Sequence, residues 1–119
     1  MTRPGKLAVA CTAFVAAFAL TACGSDDGGS STAPKTIQVT FDGETVTPNG
    51  DRVEVKTGQE IKLVITADQP GEIHVHSTPE DEFAYDAGKS TKTITIDQPG
   101  VVDVESHTLD KVIVQLEVK

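Results

Sequence analysis

Sulfur is nearly missing from this chain: it has two cysteines and one methionine in 119 residues, and Met1, Cys11 and Cys23 account for all three. With no cysteine beyond Cys23, no disulfide can staple the segment that follows. Its stability must come from a buried core and from any ion it binds. Basic residues are also scarce, ten Lys and Arg against eighteen Asp and Glu, for a formal charge of −8. A phosphate backbone is gripped by clustered cations, so nucleic acid is excluded as a partner. The longest apolar run, Leu7 to Leu20, has 14 residues and is too short for a membrane span. Beyond Thr36 no stretch keeps a helical period long enough to form a helix, and no phosphate-cradling loop is present.

What is there begins with a leader. Arg3 and Lys6 precede the apolar run as the positive flank of an export signal. Leu20-Thr21-Ala22-Cys23 then resembles the bacterial lipobox, which implies cleavage before Cys23 and lipidation of its thiol. Cys11 is discarded with the leader on this reading. Losing Arg3 and Lys6 removes two positive charges, so the exported chain carries −10 rather than −8. Acidic headgroups repel such a chain, and attachment to the membrane must come from lipid chains. The expected organisation is a signal peptide over residues 1–22, a lipidated Cys23 with a flexible tether to residue 35, and one domain over 36–119. The expected location is the extracytoplasmic face of the cell membrane. The tether from Gly24 to Pro34 has no apolar periodicity, and its eleven residues span roughly 18 Å.

The domain has period two throughout. Strands are expected at about 36–41, 44–47, 52–56, 60–66, 72–77, 91–96, 101–107 and 111–118. Turns separate them at Asp42-Gly43, Pro48-Asn49-Gly50-Asp51, Thr57-Gly58-Gln59 and two copies of Asp-Gln-Pro-Gly, at 68–71 and 97–100. Alternation nominates as core Ile37, Val39, Phe41, Val53, Val55, Ile61, Leu63, Ile65, Ile73, Val75, Ile94, Ile96, Val102, Val104, Val112, Val114, Leu116 and Val118. Short strands with one apolar face each predict an all-β fold, an antiparallel Greek-key β-sandwich. Ser77 to Thr91 is the longest irregular segment. Its Glu80-Asp81-Glu82 is read either as a functional loop with a short extra strand or as a solvated acidic edge.

All three histidines lie in the runs that follow the two Asp-Gln-Pro-Gly turns, Glu72-Ile73-His74-Val75-His76 and Val101-Val102-Asp103-Val104-Glu105-Ser106-His107. The surrounding sequence repeats weakly at a spacing of 29 residues, so that His74 matches Asp103 and His76 matches Glu105. Side chains alternate along a strand, which places His74 and His76 on one face, and Asp103, Glu105 and His107 likewise. If the two strands are neighbours, opposed Cβ atoms lie roughly 4.5 to 5.5 Å apart and same-face neighbours roughly 6.5 Å. His74, His76, Glu105 and His107 are then the expected ligands of one divalent ion, with Asp103 orienting a histidine. Three imidazoles and a carboxylate suit copper, or else zinc, better than calcium or magnesium.

Several motifs resemble the cupredoxin family. They are Thr47-Pro48, the strand–turn–strand from Arg52 to Ile65, and Pro99-Gly100-Val101-Val102-Asp103-Val104. The resemblance implies a cupredoxin-like sandwich from about Thr36 to Lys119, with His74 at the first copper-binding histidine and His107 near the second. It also implies a departure, because the position of the copper-binding cysteine is Ser106 and no methionine follows Met1. A blue-copper centre needs a thiolate with two imidazoles, so electron transfer of that kind is not expected. The expected function is a lipid-anchored, thiol-less cupredoxin-like protein that stores, delivers or senses copper, without catalysis. The alternative is a metal-free interaction module of the cell envelope.

Overall fold

The computed structural model describes residues 32–119. The expected leader, Cys23 and the expected tether up to residue 31 lie outside the described residues. The residues around the start of the first strand are tied to the domain: Gln59 Nε2 donates to the Ala33 carbonyl (2.8 Å), and Lys35 N–H donates to the Glu60 carbonyl (2.8 Å).

Nine strands follow in order: β1 Lys35–Asp42, β2 Thr45–Thr47, β3 Asp51–Val55, β4 Ile61–Ala67, β5 Gly71–Val75, β6 Asp81–Tyr85, β7 Gly88–Ile94, β8 Gly100–Ser106 and β9 Lys111–Val118. They form a four-stranded sheet, β2-β1-β4-β7, and a five-stranded sheet, β3-β9-β8-β5-β6. The eight expected strands are all present. The ninth, β6, is the extra strand in the Ser77 to Thr91 segment, and it pairs antiparallel with β5 at the edge of the larger sheet. The sandwich departs from the expected antiparallel arrangement at two places. β1 runs parallel to β4, and β3 runs parallel to β9, so both sheets are mixed. Alternation reports which face a residue takes and carries no information about the direction of the neighbouring strand.

Burial follows the alternation because each sheet covers one face of the other. In β4, Ile61, Leu63 and Ile65 are sealed, and in β5 so are Ile73 and Val75. Each such side chain contributes about 1.5–3 kcal/mol of burial. One stretch breaks the expected pattern. Val104 pairs with Val114 while Glu105 pairs with Val112, so Ile113 is an extra residue in β9. This bulge turns Ile113 and Val114 inward together and leaves Val112 only half-buried, where alternation had nominated Val112 for the core. Val53 is likewise only half-buried. Val46, Ala67 and Tyr85 join the core as residues that the pattern did not nominate.

Candidate metal centre

The larger sheet turns Ile73, Val75, Val102 and Val104 to the core. The alternate positions of β5, β6 and β8 therefore face outward together. β5 and β8 are antiparallel neighbours, with His74 opposite Glu105. The ladder continues past both strand ends: His76 N–H donates to the Asp103 carbonyl (2.9 Å), and His107 N–H donates to the Glu72 carbonyl (3.0 Å). On the other side of β5, Glu82 of β6 stands opposite His74 and Ala84 opposite Glu72. Glu72, His74 and His76 thus form a central row, flanked by His107, Glu105 and Asp103 on one side and by Ala84, Glu82 and Glu80 on the other. His74 occupies the middle of this grid.

Within the grid the side chains sort into specific contacts. Glu80 reaches over β5 from the turn before β6, a turn fastened by Ser77 Oγ–H donating to the Pro79 carbonyl (2.7 Å). Its two oxygens address two imidazoles, Oε2 at 3.1 Å from His74 Nε2 and Oε1 at 3.6 Å from His76 Nδ1. His76 Nε2 meets Glu105 Oε2 at 2.7 Å. The rings of His74 and His76 are 4.3 Å apart between centroids and tilted by 37°. The hydrogen bond to Glu105 is the main cause that raises the His76 imidazole above its ordinary value, with Glu80 adding to it. At the opposite corner, a hydrogen bond with Glu82 raises the Glu72 carboxyl above the usual carboxylate range, helped by desolvation and by the Glu82 charge.

Donor atoms converge in two groups among the described residues: His74, His76 and Glu80 in one, and His74, Glu82 and His107 in the other, each with its ligand atoms within 4.8 Å of one another. Two donors bound to one ion at about 2.0 Å lie roughly 2.8–3.3 Å apart for right to tetrahedral angles. The 3.1 and 3.6 Å spacings, each from a different Glu80 oxygen, are within a few tenths of an ångström of that range, and side-chain rotation would close the three groups around one divalent ion.

The four residues expected to bind together are thus on one patch of one sheet but are divided between the groups. His74 belongs to both, His76 to the first and His107 to the second. Glu105 stands behind His76 on the ring nitrogen that faces away from Glu80. Asp103 does not orient a histidine; its Oδ1 accepts from Gln115 Nε2 on β9 (3.0 Å). Glu80 and Glu82 were missed as site residues. Their signal was the alternating Glu80-Asp81-Glu82 itself, which puts both carboxylates on the same face once β6 is recognised.

The position that the resemblance equates with a copper-binding cysteine lies elsewhere. Ser106 is wholly buried, pairs with Ile73, and accepts a hydrogen bond from Leu109 N–H (3.0 Å). His74 and Ser106 face opposite sides of the sheet, so the two correspondences cannot serve one ion. Tyr85 stacks on Phe41 at 4.8 Å between centroids, and the Tyr85 ring lies against Gly71, leaving no room for a side chain at position 71. A blue-copper centre does not fit these residues.

No protein-family model matches the chain, and no curated protein is similar to it in sequence. Its fold is nevertheless shared with solved structures. It is similar to a blue copper oxidase from Nitrosomonas europaea (TM-score 0.55, 16% identity), covering 73% of this chain and 44% of that one. It is similar to an amicyanin variant in its reduced Cu(I) form (TM-score 0.54, 11% identity, 75% of this chain and 87% of that one). It is also similar to a purple cupredoxin from Nitrosopumilus maritimus (TM-score 0.51, 13% identity, 71% and 99%). At these identities the likeness establishes the fold.

Proposed function

From the premise of a cupredoxin-like β-sandwich without the thiolate, we propose that this protein is a lipid-anchored extracytoplasmic copper binder. It stores, delivers or senses one Cu(II) ion and performs neither blue-copper electron transfer nor catalysis. The observation that carries the reading is the Glu80 carboxylate set between His74 Nε2 and His76 Nδ1. Those three groups would hold the ion, and Glu105 would fix His76 in the tautomer that presents Nδ1, as a carboxylate behind a metal-bound imidazole does. A nitrogen and carboxylate donor set binds Cu(II) ahead of Zn(II) in the usual order of affinities. The names of the three structural neighbours above, a blue copper oxidase, a Cu(I) amicyanin and a cupredoxin, favour the same metal. The side chains of His76 and Glu80 are open to solvent, which suits exchange of an ion with a partner better than a sealed redox centre. Anchoring rests on the sequence around Cys23, with its acidic domain kept at the membrane by lipid rather than by charge.

Equilibrium dialysis of the protein against Cu(II) and Zn(II) tests the site. One retained equivalent of Cu(II), held more weakly on His74→Ala or His76→Ala, is expected. Retention of no metal at micromolar free ion would end the copper reading and leave a metal-free envelope module. Anchoring is tested separately by Cys23→Ala, which should release the protein from the membrane fraction.

A further inference from the structure

The second group of donors, His74, Glu82 and His107, is not used by the copper reading above, yet it shares that site's central residue. Glu82 stands directly opposite His74 on β6. His107 follows the last residue of β8 and is held in place by its N–H bond to the Glu72 carbonyl. Glu82 and His107 are both exposed. A neutral imidazole has one ring nitrogen protonated and one free lone pair. His74 therefore ligates a single ion, and the two groups are alternatives for it rather than two independent sites.

The groups are also unequal. In the first, Glu80 spans both imidazoles and Glu105 braces His76. Among the described residues the His107 ring has no hydrogen-bonded carboxylate behind it. The first group is thus the better organised for holding an ion, and the second the more open. Five carboxylates, Glu72, Glu80, Glu82, Asp103 and Glu105, surround His74 on the patch. A divalent cation in either position leaves its surroundings negative, so no repulsion bars movement from one to the other.

Resting on the copper reading above, we propose that Glu82 and His107 form the port through which Cu(II) enters and leaves. In this device the ion passes from Glu82 and His107 to Glu80 and His76, with His74 the residue common to both groups. Each ligand replaces another of the same kind, imidazole for imidazole and carboxylate for carboxylate. The donor types and their summed charge are therefore the same at both positions.

The test is transfer of Cu(II) from the loaded full-length protein to excess EDTA, followed by stopped flow, beside a copper titration of each variant. His107→Ala and Glu82→Gln should each keep one equivalent of Cu(II) while transfer slows by about tenfold, as expected when one ligand is taken from the exchange intermediate. His76→Ala should instead weaken equilibrium binding. Transfer that is unchanged or faster in both port variants would overturn the proposal, as would two equivalents of Cu(II) retained by the wild type. Wild-type protein that retains no Cu(II) at all would overturn the copper reading itself, and the port with it.

Discussion

Glu105 is the residue whose replacement separates two accounts of the site. The sequence pattern makes it a ligand together with His74, His76 and His107. The structure points its carboxylate at His76 Nε2, 2.7 Å away, on the ring nitrogen that does not face Glu80. In the second arrangement its work is to hold the imidazole ring and its tautomer. Removing such a brace typically costs 10–100-fold in metal affinity. Here the side chains are 38% and 37% exposed, so water screens the charge and competes for the hydrogen bond. Glu105→Ala should therefore fall at the lower end, about tenfold or ~1.4 kcal/mol, with stoichiometry kept at one. Glu105→Gln retains an acceptor of the same size and should lose only a few-fold. The assay is a competitive Cu(II) titration, with NMR of the His76 ring in the metal-free protein to confirm that its pKa falls toward the ordinary value in both variants. Complete loss of stoichiometric binding in Glu105→Ala would show that the carboxylate is itself a ligand, and unchanged affinity would show that it does nothing for the site. Either result would refute the bracing argument.

Further expectations follow from the same geometry. The His76 imidazole has its pKa raised in the folded state by Glu105 and Glu80. The stability it contributes is fully present below its unfolded pKa and is lost as pH rises through the folded value. The urea midpoint of the metal-free protein should accordingly drop from pH 6 to about pH 8, and Glu105→Gln should flatten that slope. Copper affinity should run the other way and fall as pH drops through the raised His76 value, because ligating imidazoles must be neutral; affinity held down to acid pH would point to carboxylates alone. Gly71→Ala should destabilise the fold by about 1–3 kcal/mol in urea unfolding, since a new Cβ would lie 2.6 Å from Tyr85 Cζ and push the ring off Phe41. Ser106→Cys should yield no blue-copper absorption with Cu(II), since the thiol would point to the core, away from His74; an intense thiolate band would show that the core face can assemble a copper centre.

Much of this molecule is determined by the sequence alone. Period-two alternation between strong turn signals places eight strands and most of the core, because each strand buries one face and the pleat enforces the alternation. It also places His74, His76, Asp103 and Glu105 outward, opposite Ile73, Val75, Val102 and Val104. The loss of thiolate and thioether, which removes blue-copper chemistry, is visible in composition before any folding. Other features were decided only by tertiary structure. The parallel pairings of β1 with β4 and β3 with β9 depend on which strands meet across the sandwich, and local alternation is blind to that. The bulge at Ile113 shifts the pattern by one residue partway along β9, where the sequence shows only an unbroken Val112-Ile113-Val114 run. The site changed most. Antiparallel pairing of β5 with β8 brings the two histidine runs together, while β6 folds back along the other edge of β5 and delivers Glu80 and Glu82. A carboxylate six residues along the chain from His74 thereby lies nearer to its ring nitrogen than sequence spacing could reveal, because ligand sets are assembled by strand registers and hairpin returns.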